Sequence, residues 1–459
     1  MRIYAETYGC SLNRGESREM LEAAEERGHR IVASVEEADV LILDTCTVIQ
    51  TTENRMLDRL RLMARAGKPV VVAGCMASAR PARVRAICAG AILLPPEKRR
   101  ELPFLLETLR WPVQAVNSSP VSEMPGGDPE KGQEGEAGGK AAGAVGVLSP
   151  VVRPEGGTLL RGPGPGEAVW AELPIASGCT GGCTYCITRI ARGKLSSRSV
   201  ESLVERAAVL LRRGYRELRL AAQDTATYGV DIHTSLPELV SGICSLDGDF
   251  RVRIGMMNPG SALRILPALI EVMRGPKVFR FLHVPVQSGD DGILEAMGRG
   301  YTVEDFMKVV GKFREAFPLG LLATDVIVGF PGEGEREFTA TLSLIEQTAP
   351  DIINVKAYSP RPGTAACRLP GRPPHLEVRR RISRLRELQR RISLKNNERL
   401  VGRVEEVLVT EMGASGGALG RTGGYYPVII PGGPAPGSIC NVRITAARPG
   451  YVLGEAVTG

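Results

Sequence analysis

Three cysteines near the middle of the chain are the feature that most constrains its fold. Cys179, Cys183 and Cys186 lie four and three residues apart in a loop rich in Gly and Thr, directly after a short apolar run. Such a loop lets three thiolates converge on one point, and thiolates are the ligands of iron–sulfur clusters. Three ligands for a four-iron cube leave one iron open to bind a substrate, so the site need not be a simple electron relay.

A zinc site or a disulfide could also account for cysteines at this spacing. Zinc sites usually add a fourth Cys or His at paired spacing. The nearest histidine, His233, lies well beyond Cys186 in sequence, although folding could bring the two close. Disulfides are not expected because the chain begins without an export signal. The spacing therefore favours a three-thiolate cluster loop.

Composition limits the class of protein. A chain of 459 residues predicts two or three domains. Its 43% hydrophobic and 24% charged residues are typical of a soluble globular protein, and a net charge of +7 permits an RNA partner without demonstrating one. Ten cysteines without a leader peptide indicate a reducing compartment. No apolar run is long enough to span a bilayer, so we expect a cytoplasmic protein with no membrane partner.

Strand-like and helix-like segments alternate over residues 1–115, which predicts an open parallel α/β domain. The predicted strands are Arg2–Tyr8, Asp39–Thr45 and Val70–Ala73, and the predicted helices are Glu16–Arg27, Thr51–Arg65 and one beginning near Pro81. Cys10, Cys46 and Cys75 each follow one of these strands, at the edge where open α/β sheets gather ligands. Each alone could be a buried small hydrophobe, but three equivalent placements favour a second cluster. Cys88 lies in a predicted helix and is assigned to the core.

Residues 117–168 have a different composition from the rest of the chain. Of these 52 residues, 13 are Gly and 7 are Pro, with few large apolar side chains. Such a stretch cannot bury enough surface to offset the entropy lost on ordering. We expect a flexible linker, with a lid or docking segment as the alternative.

Residues 169–395 return to a regular alternation of strands and helices. The predicted strands are Glu172–Ser177, Glu217–Ala222, Arg251–Met257, Phe281–Val286, Ala323–Gly329 and Ile352–Tyr358. The predicted helices are Val200–Arg213, Leu236–Ser245, Leu263–Arg274, Val303–Phe317 and Arg336–Gln347. Six such units predict a partial (β/α)6 barrel whose working face is the carboxyl end of the strands.

The cysteine loop resembles the signature of the radical S-adenosylmethionine (SAM) enzymes, in which an aromatic residue, here Tyr185, precedes the third cysteine. The resemblance implies a [4Fe-4S] cluster and SAM as cofactors. Gln223, Asn258 and Gln287, which follow strands, and Asp325, which lies within one, are then candidate SAM contacts, because amides and carboxylates suit its ribose, amino group and adenine edge. Ordinary turn chemistry, or for Asp325 an internal polar network, is the alternative.

The C-terminal part of the chain predicts a basic helix and then a small β-barrel. Residues 377–400 carry nine Lys or Arg and three Glu, which indicates either a solvated outer face or a phosphate-contacting one. Short β-like runs follow over the predicted domain 398–459, which resembles the RNA-binding TRAM module. Tyr425 and Tyr426, with neighbouring arginines, could stack on RNA or form the domain core. The arginines are Arg403, Arg421, Arg443 and Arg448.

Motifs in all three parts resemble the radical SAM methylthiotransferase family. The first domain carries Tyr8-Gly-Cys10-Ser-Leu-Asn13, Asp44-Thr-Cys46 and Ala73-Gly-Cys75-Met76. The family usually has Asn at the position of Asp44. The segments Ala191-Arg-Gly-Lys-Leu195 and Gly255-Met-Met-Asn-Pro259 are most similar to the archaeal and eukaryotic branch that acts on threonylcarbamoyladenosine (t6A) in tRNA.

The family resemblance implies a specific reaction. Cys179, Cys183 and Cys186 would hold the cluster that cleaves SAM to a radical, and Cys10, Cys46 and Cys75 would hold a second [4Fe-4S] cluster for sulfur insertion at C2 of t6A. Insertion at an unactivated C–H needs such radical chemistry. The implied partners are tRNA, a sulfur donor and a low-potential electron donor. The alternatives are isopentenyladenosine tRNA, a ribosomal-protein aspartate, or a non-catalytic electron carrier.

Overall fold

The computed structural model describes residues 1–48, 50–109, 169–413 and 416–457. The predicted linker, residues 117–168, lies outside the described residues. The described parts contain an N-terminal α/β domain, a central partial barrel and a C-terminal β-barrel, as the sequence predicts.

The N-terminal domain is a five-stranded parallel sheet with helices on both faces. Its elements are β1 (Arg2–Thr7), α1 (Ser11–Glu26), β2 (Arg30–Ile31), β3 (Val40–Thr45), α2 (Gln50–Ala64), β4 (Val70–Gly74), α3 (Cys75–Ala79), α4 (Pro81–Ile87), β5 (Ile92–Leu94) and α5 (Leu102–Leu109). Strand β3 is buried on both sides: Leu41 and Leu43 pack into one core, and Val40 and Ile42 pack into the other. The strand order β2-β1-β3-β4-β5 places the carboxyl ends of β1, β3 and β4 side by side.

The central domain contains six parallel strands in chain order. Its strands are β6 (Trp170–Pro174), a short antiparallel pair of β7 (Ala176–Ser177) and β8 (Ser196–Ser197), then β9 (Glu217–Ala221), β10 (Arg251–Arg253), β11 (Phe281–His283), β12 (Leu321–Val328) and β13 (Ile352–Ala357). The helices are α6 (Thr188–Arg192), α7 (Val200–Arg212), α8 (Leu236–Cys244), α9 (Pro259–Met273), α10 (Asp291–Ala296), α11 (Val303–Ala316), α12 (Glu335–Thr348) and α13 (His375–Glu398).

The six strands form an open barrel. Sheets β6-β9-β10 and β11-β12-β13 are connected by a parallel bridge between Val252 and Val278, and the Phe279 N–H donates to Val252 O at 3.0 Å. This leaves β6 and β13 as the two edge strands. Helix α1 of the N-terminal domain packs against β6, where Arg14 donates to Glu172 at 2.6 Å. The N-terminal domain therefore covers one edge of the opening.

The C-terminal strands close into a barrel in the order β14-β15-β16-β18-β17, which leaves no free sheet edge. They are β14 (Val404–Met412), β15 (Ala418–Thr422), β16 (Pro427–Ile430), β17 (Ile439–Arg448) and β18 (Tyr451–Ala456). Gly423 O accepts from the Arg280 N–H at 2.9 Å, and Gly424 O accepts from the Leu321 N–H at 3.1 Å. Because Arg280 directly precedes β11 and Leu321 begins β12, the small barrel caps the amino-terminal end of the central barrel.

The RNA-stacking role considered for Tyr425 and Tyr426 is wrong, because both rings are buried between the two barrels. Their side chains are 5% and 1% exposed. The Tyr425 hydroxyl donates to Glu217 at 2.8 Å, and the Tyr426 hydroxyl donates to Asp351 at 2.9 Å. Arg421 is buried beside Tyr425 as well. These side chains fix the C-terminal barrel to the central domain and are closed to a base.

Candidate iron–sulfur sites

The first cysteine trio lies in the segment that connects β7 to β8, beyond the carboxyl end of β6. Gly178 has φ +78°, and a Cβ there would collide with Lys194 O, so only glycine lets the loop fold back on its own end. A Cβ built at Gly181 would lie 3.3 Å from Cys179 Sγ and 3.8 Å from Cys183 Sγ. Two of the three sulfurs thus lie against the same glycine, and its missing side chain leaves room beside them.

Polar groups surround the sulfurs of this trio. The Thr188 N–H donates to Cys186 Sγ at 3.4 Å, and its hydroxyl lies 3.0 Å from the same sulfur. Arg299 donates from Nη1 to Cys183 Sγ at 3.2 Å and to the Tyr185 hydroxyl at 3.4 Å. Burial raises the pKa of the Cys179 and Cys186 thiols. Iron binding would have to release those protons, which the nearby N–H donors and the Arg299 charge favour.

The second trio lies where three neighbouring strands of the N-terminal sheet end. Cys10 precedes α1, Cys46 follows β3, and Cys75 is the first residue of α3 after β4. Gly9 has φ +119°, and a Cβ there would lie only 2.7 Å from Cys46 Cβ. Burial raises the pKa of the Cys46 thiol to about 11 and that of the Cys75 thiol to about 12, and the charge of the nearby Cys10 thiolate adds to both pKa shifts. The assignment of these three cysteines to a second cluster stays a prediction.

Each trio offers three free thiols. Within the described ranges, no three His, Cys, Asp or Glu side chains converge closely enough to hold a single metal ion. A four-iron cube is wider than one ion and needs its thiolates set farther apart. Soft thiolate donors with glycines beside them fit such a cube.

Asp44, which replaces the family's usual Asn, has a charged partner in this chain. Its carboxylate accepts from Arg99 Nη2 at 2.6 Å and from the Ser17 hydroxyl. Asp44 and Arg99 are both buried, and a buried carboxylate persists only when such a partner compensates it. Burial raises the pKa of the Asp44 carboxyl to about 7, and these partners explain how the chain accommodates an acidic residue two residues before Cys46.

The four candidate SAM contacts differ in their surroundings. Asn258 caps α9 by accepting from the Gly260 N–H at 2.8 Å, and Asp325 accepts from Asn354 at 2.6 Å and lies 2.9 Å from His283. These two have internal partners. In contrast, the Oε1 atoms of Gln223 and Gln287 are buried without a hydrogen-bond partner among the described residues.

Gln287 also has a φ of +72°, an uncommon conformation for a residue other than glycine. Unpartnered buried amides and backbone strain concentrate at binding sites. The SAM assignment stays a prediction for all four residues and for Tyr185, with Gln223 and Gln287 the best supported.

Sequence reasoning missed the two arginines that touch cluster cysteines. Arg299 lies far from Cys183 in sequence and had no local signal. Arg192 donates from Nε to Cys75 Sγ at 3.4 Å, although it lies on the other domain. Its sequence signal is its place in the segment Ala191-Arg-Gly-Lys-Leu195, which indicates the branch of the family but not a contact with a cysteine.

Three family models match the chain. The model described as uncharacterized protein family UPF0004 matches residues 2–93, the radical SAM superfamily model matches residues 173–345, and the TRAM domain model matches residues 398–457. A probable threonylcarbamoyladenosine tRNA methylthiotransferase of Methanothermobacter thermautotrophicus is 37% identical over 457 residues, 99% of each chain. This chain belongs to the radical SAM tRNA methylthiotransferases. The family expected from the motifs is confirmed.

Two more comparisons place this methylthiotransferase among known proteins. A tRNA-2-methylthio-N(6)-dimethylallyladenosine synthase of Moorella thermoacetica is 34% identical, over 99% of this chain and 98% of the relative. The solved structure of a radical SAM methyltransferase from Kitasatospora setae, with cobalamin and a [4Fe-4S] cluster bound, has a TM-score of 0.53 at 12% identity, covering 80% of this chain and 73% of its own. That likeness shows the fold alone. Over the described residues, no helix has the length and apolarity to cross a bilayer.

Proposed function

We propose that this methylthiotransferase adds a methylthio group to C2 of t6A beside the anticodon of tRNA, with SAM and two [4Fe-4S] clusters. The observation that carries the proposal is the pair of cysteine trios on facing domains, joined through Arg192. The archaeal relative that matches end to end supports t6A as the nucleoside. A cytoplasmic location, a sulfur donor and a low-potential electron donor follow from the same proposal.

Each trio has a distinct task in this proposal. Cys179, Cys183 and Cys186 would hold one cluster, and Cys10, Cys46 and Cys75 the other. When bound, the clusters supply reductive SAM cleavage at the first site and sulfur at the second. The chain's own groups then act on the bound molecules.

Two features of the central barrel support binding and orienting SAM. The free amide oxygens of Gln223 and Gln287 can accept hydrogen bonds from its amino and ribose groups. Tyr185 packs edge-on to Phe330, whose ring packs against Tyr358. This apolar wall excludes water from one side of the first trio, and water would otherwise quench reactive intermediates.

The substrate is tested by supplying the purified enzyme with two tRNAs, one carrying t6A and one carrying isopentenyladenosine. We expect the methylthio product on t6A alone, measured by mass spectrometry of the digested nucleosides. The control is each tRNA incubated without SAM. Product only on isopentenyladenosine would favour the activity named for the Moorella relative, and product on neither would direct attention to a protein substrate.

Helix α13 provides a surface for the tRNA backbone. The helix extends along the central barrel from one end to the other. Near its start, Arg381 donates to Glu333, which follows β12, at 2.7 Å. Near its end, Asn397 donates to Arg448 O in the C-terminal barrel at 2.7 Å. The apolar side of the helix, which includes Leu385 and Ile392, is buried. The helix therefore connects the end of the molecule that carries the trios with the end that carries the C-terminal barrel.

The two flanks of α13 differ in charge balance. On the flank facing α12, Arg380, Arg384 and Arg391 pair with glutamates at 2.6 to 3.2 Å. On the other flank, Arg379, Arg386 and Arg390 are exposed and have no ion-pair partner in the described part of the chain. Their spacing of seven and four residues places them on one face over about 16 Å. The helix packs against β13, an edge strand of the open barrel, and the free charges of this flank are available to phosphates of a tRNA bound near the opening.

Replacing Arg379, Arg386 and Arg390 together with Gln should weaken tRNA binding and reduce its salt dependence. Loss of three phosphate contacts lowers the slope of log K against log salt by about 2 to 3. Fluorescence anisotropy with labelled tRNA at several salt concentrations measures the slope. The matched control is Arg380, Arg384 and Arg391 to Gln, which removes the same charge from the paired flank. Equal slopes for the two triple variants would sink the assignment.

A further inference from the structure

Arg192 lies at the boundary between the two cysteine trios. It ends α6, directly after the loop of the first trio, and its side chain reaches into the N-terminal domain. There the Nε atom donates to Cys75 Sγ at 3.4 Å. The side chain is 2% exposed, so this contact is fully shielded from water.

All five N–H donors of Arg192 have acceptors. Besides Cys75, Nη1 donates to Glu16 at 2.7 Å and to the Ser177 hydroxyl at 3.0 Å, while Nη2 donates to Glu16 at 2.8 Å and to the Asn13 Oδ1. A planar guanidinium with every donor engaged has one orientation available. The Cys75 contact is therefore imposed by the other four.

The acceptors of Arg192 lie in or beside the cysteine loops of both trios. Ser177 stands two residues before Cys179, at the start of the first loop. Asn13 donates its own amide to Tyr8 O at 3.2 Å and to Thr45 O at 2.8 Å, the residues that lead to Cys10 and Cys46. Arg192 thus connects the first loop directly to Cys75 and, through Asn13, to the backbone that precedes Cys10 and Cys46.

We propose that Arg192 is a positioning residue that couples the two cluster sites: it holds the Cys75 thiolate in place from the first loop and raises the reduction potential of the cluster bound there. The proposal rests on the proposed function, since it assumes a cluster on Cys10, Cys46 and Cys75. An N–H donor and a positive charge beside a cluster sulfur stabilise the reduced, more negative state. Hydrogen bonds to sulfur are an established determinant of cluster potential.

The test uses the full chain with Cys179, Cys183 and Cys186 replaced by Ala, so that only the second site can hold iron. In that parent we would introduce Arg192→Gln, Arg192→Lys and Arg198→Gln. Arg198 is the matched control: it also crosses the domain boundary, donating to Glu19 at 2.7 Å, but touches no cysteine among the described residues. Iron content and a mediated redox titration followed by electron paramagnetic resonance are measured on each protein.

We expect a more negative midpoint potential for Arg192→Gln, a smaller shift for Arg192→Lys, which keeps the charge, and the parent value for Arg198→Gln. Loss of the cluster in Arg192→Gln alone would also support the assignment. Full iron with the parent potential in Arg192→Gln would overturn it, as would an equal shift or equal iron loss in Arg198→Gln. A parent that binds no iron would instead refute the proposed second cluster, so the two failures are distinguishable.

Discussion

Replacing Cys179, Cys183 and Cys186 with Ala is expected to reduce SAM cleavage to background and to leave about four irons per chain at the other trio. The expectation follows from the placement of this trio at the carboxyl end of β6, where Arg299 contacts both Cys183 and Tyr185. The measurement is 5′-deoxyadenosine released from SAM under strong reductant without oxygen.

The matched control for that variant removes three cysteines that lie outside both trios. Cys88, Cys244 and Cys440 are each half-buried, and their joint replacement by Ala should leave iron content and SAM cleavage near those of the parent. Continued formation of 5′-deoxyadenosine by the Cys179, Cys183 and Cys186 variant would show that SAM is cleaved elsewhere.

Replacing Cys10, Cys46 and Cys75 with Ala should separate the two half-reactions. The first trio and the candidate SAM contacts lie on the central domain, so 5′-deoxyadenosine should still form while the methylthio nucleoside falls to background. Both products are measured in the same reaction with t6A-containing tRNA, and about half of the iron should be lost.

Two other results for the Cys10, Cys46 and Cys75 variant would also be informative. Methylthiolated nucleoside at the parent level would mean that the sulfur does not pass through the N-terminal domain. Loss of both products together with all iron would point to unfolding, which circular dichroism would detect; the Cys88, Cys244 and Cys440 control applies here too.

The fold and the two trios were predictable because they depend on local pattern. Alternating strands and helices predict parallel sheets, and parallel strands end at one edge, so cysteines after strands such as β3 and β4 must meet. The observed strands differ mainly in length: the predicted strand Arg251–Met257 ends at Arg253, and the predicted strand Phe281–Val286 ends at His283. After these points the chain forms the loops that carry Asn258 and Gln287.

The features that the sequence did not predict are contacts formed in the tertiary structure. Tyr425 and Tyr426 carry the same sequence signal whether they stack on bases or pack on another domain, and only the docking of the small barrel onto Glu217 and Asp351 decides the matter. Arg192 and Arg299 were missed for the same reason, because each reaches a cysteine through a tertiary contact. The way in which one domain packs on another leaves no periodic pattern in the sequence, so these contacts could not be inferred from it.

The proposal that each cysteine trio holds its own four-iron cluster is best tested by the iron and acid-labile sulfide content of the full-length protein reconstituted without oxygen. We predict about eight irons and eight sulfides per chain, with both triple-cysteine variants near half of that. About four irons in the parent, or zinc in place of iron, would contradict it.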